Sequence, residues 1–494
     1  MPMPMPMPMP VKHSKKPAQR KKVAAKAHPR SGTAKKKAGA SSMKVMAMPA
    51  KQGGMQMTMP APASNQRTGS SSMPMDQAQM DYAQGKQMNM PMGQSGMGGM
   101  QMRNNEHQMA MSSALGRYPI QRESSGTSWQ PDSSAPMTGP MTMSGDWMFM
   151  AHGTLNFVYD HQSGPRGDNK AFAGGMLMGM ADHPLANGMV RFRAMLSPDP
   201  LMGPAGYPLL LATGETANGR DRLIDRQHPH DFFMELSGSV SQKLGPNSSA
   251  FLYAGLPGEP AFGPPSFMHR ESIMDSPEAP IIHHWLDSTH ITFGVVTAGL
   301  VFDRVKIEAS RFNGREPDQH RWNIETGPLD STSFRFSWNP TRTLAFQGSW
   351  AHLVDPEQLE PTVNQTRWSA SAQWADEVAP GWHAAATLAW GRKSSPGHND
   401  DGVAAEGSLK SGTWTIFGRA EMVDSRELIQ GRDEPAYRVG KVSLGAVRDF
   451  RIANHVSLGA GALFSLNFVP DAVAPLYGGH NPTGAMGFVR IKLN

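Results

Sequence analysis

The amino-acid sequence predicts an all-β fold: an antiparallel transmembrane β-barrel of about 16 strands, preceded by a long disordered Met-rich N-terminal segment. Three observations support this prediction. Apolar and polar residues alternate through the second part of the chain, the connections between the alternating segments are by turns short and long, and the composition changes near residue 140. Side chains on a strand point to its two faces in turn, so strict alternation indicates a strand with one apolar face.

Segment 147–159 shows the alternation clearly, with Trp147, Phe149, Phe157 and Tyr159 on the face opposite His152. The same pattern recurs in 190–196, 305–310, 334–338 and 368–374. A soluble sandwich would bury the apolar face, whereas a barrel in lipid turns it outward and keeps its polar face toward a wet lumen. Alternation alone therefore leaves both folds open.

The connections favour the barrel over a soluble β-sandwich or propeller. Sixteen strands are expected at roughly 147–159, 172–182, 188–197, 231–244, 248–255, 290–302, 305–313, 332–339, 343–353, 367–377, 382–393, 402–411, 413–424, 438–450, 455–467 and 483–494. Tight turns such as 245–247 and 303–304 alternate with long loops such as 198–230 and 256–289. Short turns at one rim and long loops at the other are typical of bacterial outer-membrane barrels. Both chain ends are then expected on the periplasmic side.

Composition agrees with this location. The chain has 494 residues and no cysteine, which suits an oxidising periplasm, and no apolar run approaches the roughly 18 residues of a membrane helix. Only alternate residues of a barrel strand face lipid, so such a chain need not look hydrophobic. Residues 1–10 alternate Met and Pro, which makes a poor apolar helix, and we find no clear signal peptide.

The composition divides the chain into three parts. Residues 1–51 form a basic tail, residues 52–140 a Met-rich low-complexity segment, and residues 141–494 the barrel. The first two parts have few branched aliphatic residues, so they cannot bury enough apolar surface to offset the entropy of ordering, and we expect both to be disordered. The basic block is expected to contact lipid or lipopolysaccharide, and no nucleic acid is expected as a partner.

Closely spaced methionines mark the middle segment as a candidate Cu(I) site. The thioether is a soft donor that selects Cu(I), and two or three sulfurs at these spacings can reach one ion in a flexible chain. The candidate ligands are Met55, Met57, Met59, Met73, Met75, Met88, Met90, Met92, Met97, Met100 and Met102. The alternative is that methionine only fills a low-complexity tail. Copper is the one cofactor that the sequence suggests.

Seven histidines come from stretches that the strand map places at the long-loop rim: His228, His230, His269, His283, His284, His290 and His320. With nearby carboxylates they could bind Zn(II), Cu(II) or Ni(II). They could instead pin a long loop inside the lumen, beside the charged constriction residues Arg226, Arg270, Glu271, Asp287, Arg315, Glu316 and Asp318. We expect the pinned loop. A hydrolytic site is a third possibility, but no nucleophile elbow or HExxH helix supports it, so an enzyme is not expected.

The words DRQHPHDFF (225–233), GEPAFGPPSFMHRESIMD (258–275) and SRFNGREPDQHRW (310–322) resemble a family of uncharacterised Gram-negative outer-membrane β-barrels of porin-like character. The Met-rich tail is similar in layout to copper-resistance outer-membrane proteins, a likeness of composition that covers residues 43–111. The resemblance implies a location rather than an activity. Such barrels usually end on an aromatic residue, whereas this chain ends on Asn494.

These observations predict an outer-membrane porin-like barrel whose periplasmic Met-rich tail binds copper, with a role in metal tolerance or solute passage. The alternatives are a plain channel with an unrelated disordered tether, and an outer-membrane hydrolase with a His-rich rim site. Expected partners are outer-membrane lipid and lipopolysaccharide, the barrel assembly machinery and copper ions. The expected location is the outer membrane of a Gram-negative bacterium, with the tail in the periplasm.

Overall fold

The computed structural model describes residues 113–136, 138–431 and 435–494, which hold nineteen strands. Sixteen of these strands form a closed antiparallel barrel in which each strand pairs with its neighbours and the last pairs with the first. The wall strands are β2 (Trp147–Gln162), β3 (Asn169–Leu185), β4 (Gly188–Leu196), β7 (Phe233–Gly245), β8 (Ser248–Gly255), β9 (Val295–Phe302), β10 (Val305–Phe312), β11 (Ser331–Trp338), β12 (Leu344–Leu353), β13 (Gln365–Ala379), β14 (Trp382–Ser395), β15 (His398–Ser411), β16 (Trp414–Ser425), β17 (Tyr437–Ala453), β18 (Val456–Phe468) and β19 (Thr483–Leu493). The predicted sixteen-stranded barrel is confirmed.

Among the described residues, three further strands, two short α-helices and three 3-10 turns lie outside the sixteen wall strands. Strand β1 (Met141–Ser144) pairs with the start of β2, and β5 (Tyr207–Thr216) pairs with β6 (Arg222–Gln227) as a separate hairpin. Helices α1 (His283–Leu286) and α2 (Ala474–Tyr477) are single turns. In the described part of the chain, no helix is long and apolar enough to cross a membrane.

The two faces of the wall are oriented as in a barrel surrounded by lipid. On β11, Phe334 and Phe336 are 51% and 47% exposed on the outside, while Arg335 between them is 2% exposed on the inside. On β13, Trp368 is exposed on the outside and Ser369 is buried inside. A soluble sandwich would show the reverse, so the burial decides between the two readings of the alternation.

The rims differ as the sequence predicts, with two exceptions. The connections 246–247, 303–304 and 412–413 form the short-turn rim, and 197–232, 256–294 and 313–330 belong to the long-loop rim. One long-loop connection is itself a turn, at 396–397, because β14 and β15 extend further than expected. Strand β9 begins at Val295 rather than at residue 290, because the preceding residues turn into the lumen.

Three segments fill the lumen: residues 113–136, the β5–β6 hairpin and loop 256–294, called here the inner loop. Leu209, Leu210 and Leu211 of the hairpin are almost fully buried and pack with Ile282 and Trp285 of the inner loop. This group meets small or apolar inward residues of the wall, including Ala389, Ala404, Val439 and Val447. One sector of the lumen is therefore an apolar core, where the sequence alone predicts a polar, water-filled face.

The segment 113–136 changes one predicted boundary. The composition predicts disorder for all of 52–140, but residues 113–134 are mostly buried in the structure. Arg122 donates two hydrogen bonds to Asp132 at 2.6 and 2.9 Å, and Asn339, in the turn after β11, donates to the carbonyl of Gln130 at 2.8 Å. Buried polar groups with partners of this kind hold the segment, although it has few apolar residues. The earlier part, 1–112, lies outside the described residues.

Candidate functional site in the lumen

Buried charge pairs attach the inner loop to the barrel wall. Arg270 of the loop is 1% exposed and donates two hydrogen bonds to Glu406 of β15, at 2.6 and 2.8 Å. Further along the loop, the Glu278 carboxylate lies 3.6 Å from Arg419 of β16 and also pairs with Lys441 of β17. Each pair joins two charges inside the barrel, so removing one partner leaves the other buried and uncompensated.

Asp287 ties the two ends of the inner loop together. Its Oδ2 accepts hydrogen bonds from the backbone N–H of Phe267 at 2.9 Å and from Arg270 at 3.2 Å. Its Oδ1 lies 2.8 Å from Nδ1 of His283, the first residue of α1, one helical turn earlier in the chain. Burial opposes the ionised form of this carboxylate, but the hydrogen bond and charge of His283, together with Arg270, lower its pKa below the usual range. Asp287 is therefore an anion that three donors hold in place.

Five of the seven candidate histidines come together beside Asp287: His228, His230, His283, His284 and His290. Successive ring centroids are 5.2 to 5.9 Å apart. Each ring has an oxygen partner. His283 faces Asp287, as described above. Carboxylates also face His228 (Glu215, 3.2 Å), His230 (Asp199, 2.8 Å) and His284 (Glu316, 3.2 Å). His290 faces the backbone carbonyl of Asp287 at 2.7 Å. Since a carboxylate or carbonyl can only accept, the ring nitrogen facing it carries the proton.

Burial and neighbouring charges shift pKa values within this cluster in opposite directions. Burial lowers the pKa of His228 and of His290 well below the ordinary value. The charge of Arg321 acts in the same direction on His228, whereas the Asp287 carboxylate opposes the shift of His290. Burial also acts on His284, but the adjacent Glu316 carboxylate outweighs it and raises that pKa. Burial raises the pKa of Glu215 to about 7, although Arg321 opposes the shift. His284 and Glu316 thus favour each other's charged forms.

Among these contacts, the pair of His284 with Glu316 joins the inner loop to loop 313–330. Within the described residues, no group of three or more His, Cys, Asp or Glu side chains is arranged to hold a metal ion. The Nε2 atoms of His230, His284 and His290 have no protein partner among these residues, so they are left to water or a passing solute.

The other two candidate histidines lie elsewhere. His320 is exposed and pairs with Asp318 at 2.9 Å, and His269 faces Met195 of β4 with an Nε2–Sδ distance of 3.4 Å. The predicted convergence of all seven is therefore wrong for these two. His320 follows a Pro-containing stretch of loop 313–330 that stays at the rim. His269 lies on the far side of the inner loop from α1.

The predicted constriction residues also separate into two groups. Arg270, Asp287 and Glu316 are inside the lumen, and Glu271 pairs with His383 of β14 at 2.8 Å. The remaining three are at the rim: Arg226 pairs with Asp168, Arg315 with Asp330, and Asp318 with His320. These rim pairs are part-exposed and do not narrow the lumen.

Several residues that complete the site were not found by sequence reasoning. Arg321 contacts both Glu215 and Asp231, and Asp199 holds His230. These residues carry no local motif, because their partners are brought together by loops far apart in sequence. His152 and Met178 did offer a signal, since the Met-x-His spacing of Met150 and His152 and the Met-x-Met spacing of Met176 and Met178 each place two such side chains on one face of a strand.

A cavity of about 180 Å³ remains between the inner loop and strands β2 and β3. At one end it is lined by His228 and His230, and at the other by Lys492 and Asn494 of the last strand. The eleven methionines proposed for Cu(I), Met55 to Met102, lie outside the described residues.

No protein-family model matches the chain, and no curated protein matches it significantly. Solved structures with similarity include the outer-membrane expressed OmpT of Vibrio cholerae, at 8% identity and a TM-score of 0.41, covering 72% of this chain and all of that one. An anion-selective porin from Comamonas acidovorans matches at 11% and 0.40, covering 70% of this chain and 99% of its own. OmpF of Salmonella typhi, in a complex with daunomycin, matches at 9% and 0.46, covering 72% and 100%. Values this low transfer no function to the chain.

Proposed function

We propose that the protein is an outer-membrane, porin-like channel whose lumen is narrowed by the inner loop and by residues 113–136. The observation that carries the proposal is the orientation of the wall: aromatic and aliphatic side chains outside, with charged and hydroxyl side chains inside. In lipid, strands satisfy all of their backbone hydrogen-bonding groups only when the sheet closes into a barrel. Here β19 pairs with β2, so the sheet has no open edge. The permeant class that fits the narrowed lumen is small polar or ionic solutes.

A second part of the proposal concerns the tail. The methionines between Met55 and Met102 supply soft ligands at spacings of two to three residues, which suits Cu(I). We infer that the tail holds copper on the periplasmic side and contributes to metal tolerance. Its support is composition and the β2 start at the short-turn rim, where the chain enters the barrel.

Conductance of the full chain in a planar bilayer tests the channel. The wild type is expected to show small, stable conductance steps, because the lumen is largely filled. The double variant His283→Ala/His284→Ala should give larger steps, since it removes the contacts to Asp287 and Glu316 that pin α1. The exposed histidines His320 and His455 provide a matched control: changing both to Ala should leave the conductance unchanged. A protein that stays soluble and monomeric without detergent would contradict the membrane barrel.

Growth on copper tests the tail. In a strain that lacks the gene, the full chain should restore growth at raised copper, and a chain without residues 52–111 should not. Both chains should behave alike at raised zinc, because thioethers are poor ligands for zinc. Equal copper tolerance with and without the segment would reject the role of the tail and leave the channel proposal intact.

A further inference from the structure

Inward methionines line one sector of the wall. Met150, Met178, Met180, Met195 and Met234 are all at most 6% exposed and form one contact cluster. They come from strands β2, β3, β4 and β7, which are consecutive in the wall. Elsewhere the inward face is mainly Ser, Thr, Arg, Glu and Ala, so this concentration of thioethers is a local feature of the lumen.

Two buried imidazoles adjoin these sulfurs. The set called here the His–Met cluster comprises His152, Met178, Met195 and His269. Strand register places its first three members in a row, because His152 pairs across strands with Met178, and Met178 pairs with Met195. His269 reaches the same row from the inner loop. The distance from His152 Nε2 to Met178 Sδ is 3.3 Å, that from His269 Nε2 to Met195 Sδ is 3.4 Å, and the two ring centroids are 6.2 Å apart.

The contacts differ in kind from those of the other buried histidines. Each of the five rim imidazoles has a carboxylate or carbonyl oxygen partner, whereas His152 and His269 face thioether sulfur, a weak hydrogen-bond acceptor. Burying an imidazole beside such a weak partner does little to offset the loss of water. A bound cation would offset it, because it would use the nitrogen lone pair and the sulfur together.

The distances suit such an ion. Ligand nitrogen and sulfur at roughly 2.0 and 2.3 Å from a tetrahedral centre are about 3.5 Å apart, close to both observed separations. Two thioethers and two imidazoles form a neutral donor set that favours a soft, low-charge ion. The nearby Arg193 is already paired, 3.4 Å from Glu235, so its charge is partly neutralised.

The protonation state and the access route agree with metal binding. Burial lowers the pKa of His269 to about 3, so its ring is neutral and able to act as a ligand at physiological pH. The 180 Å³ cavity is lined by His152 and His269, together with Met176 and Met268, so the two imidazoles of the cluster face open space inside the lumen.

We propose that the His–Met cluster binds one soft monovalent metal ion, Cu(I) or Ag(I), in the wall of the lumen. The inference uses the lumen of the proposed channel but does not depend on the copper-binding tail. It makes the lumen selective: hard divalent ions meet uncharged sulfur, while a soft ion is retained on its way through the barrel.

The test is anaerobic Cu(I) titration of the full chain in detergent against a chromophoric Cu(I) chelator. Two double variants remove the donors, Met178→Leu/Met195→Leu and His152→Gln/His269→Gln. The control, Met422→Leu/His455→Gln, makes the same chemical changes on the outer face of β16 and in the turn before β18. Leucine conserves the volume of methionine, so that variant is expected to fold even where the histidine variant does not. Heat-modifiable migration on gels checks the folding of each.

Each donor variant should lose one Cu(I) equivalent per chain relative to the control, and the nitrogen component of the copper X-ray absorption spectrum should disappear from the histidine variant. Equal stoichiometry in the control and in Met178→Leu/Met195→Leu would overturn the inference and make the cluster a packing feature. Copper bound to the tail is common to all the proteins, so failure of the tail proposal would lower every value and leave this difference unchanged.

Discussion

At the scale of single residues, the free-energy cost of a charged side chain on the outer face should depend on its depth in the membrane. Leu444 is 64% exposed on the outer face in the middle of β17, whereas Trp368 is exposed near the long-loop end of β13. The position of Trp368 suits the interfacial band in which aromatic residues are common, while Leu444 lies at the centre of the apolar belt. The two positions therefore separate the cost of a charge at the midplane from its cost at the interface.

We expect Leu444→Arg to destabilise the folded barrel by about 2–4 kcal/mol and Trp368→Arg by only about 0–1 kcal/mol, because water and headgroups solvate a charge near the interface. The measurement is reversible urea unfolding in lipid vesicles. The neutral variants Leu444→Ala and Trp368→Ala correct for lost contact area. Equal costs of the two arginines would contradict the assigned depth.

His269 gives a residue-level prediction about pH. Its folded-state pKa is about 3, below the usual value near 6.5, so between these values the unfolded chain binds more protons than the folded one. Its contribution to stability is complete above about pH 6.5 and is lost as the pH falls toward 3. Between pH 7.5 and 5, the metal-free wild type should lose about 2 kcal/mol more than His269→Leu. The check is urea unfolding at both pH values, and parallel losses would contradict it.

At the scale of elements, the inner loop depends on where its ion pairs lie. Arg270–Glu406 and Arg392–Asp401 are both two-bond arginine–carboxylate pairs, with closest contacts of 2.6 and 2.7 Å. The arginine side chain of the first is 1% exposed and that of the second 41%. Breaking a buried pair leaves an uncompensated charge, while an exposed pair is largely solvated in either state.

Arg270→Ala should therefore release the inner loop and increase single-channel conductance, while Arg392→Ala should leave it unchanged. The destabilisation expected from the buried site is about 3–5 kcal/mol, against about 0–1 kcal/mol for the exposed one. Conductance and urea unfolding on the same preparations provide both measurements. An Arg270→Glu/Glu406→Arg exchange that restores the wild-type conductance would tie the effect to this pair.

The same scale shows how far the sequence can predict the fold and the site. Strand positions follow from alternation, which is local, so faces such as Phe334/Arg335 could be predicted correctly. The inward course of the inner loop could be expected from its histidines, but its attachment to Glu406 is a contact across 136 residues that no local pattern encodes. The β5–β6 hairpin was missed because Leu209–Leu211 lacks alternation, being buried on both faces inside the barrel.

At the scale of the whole molecule, the lumen is narrowed from two sources: the β5–β6 hairpin and the inner loop come from the long-loop rim, and residues 113–136 come from the chain ahead of the first strand. Residues 113–136 join several wall strands: Ser249 donates to the carbonyl of Leu115 at 2.8 Å, Arg191 pairs with Glu123, and Lys306 donates to the carbonyl of Thr127. The barrel interior is thus filled by parts that the wall itself does not require for closure.

Two deletions test this division. Removing residues 2–111 should leave the conductance steps unchanged, whereas removing residues 2–135 should enlarge them, because it takes the buried segment out of the lumen. Both proteins should remain heat-modifiable, since β1 to β19 are intact. Planar-bilayer recordings provide the measurement, and equal steps in the two proteins would show that residues 113–135 do not obstruct the passage.

Strand β1 contributes to the kinetic stability of the closed barrel. The last strand pairs with β2 only from Gly153 to Gln162, and β1 occupies the same edge of β2 from Trp147 to Met150. Just before β1, the backbone passes so close to Ala151 that a Cβ on Gly139 would lie 1.9 Å from its carbonyl oxygen. The seam at which β2 and β19 meet is thus reinforced by an upstream segment of the same chain. Separating β19 from β2 must also break the contacts of this upstream segment. Its effect should therefore appear as a slower rate of barrel opening and a longer lifetime of the folded barrel in detergent.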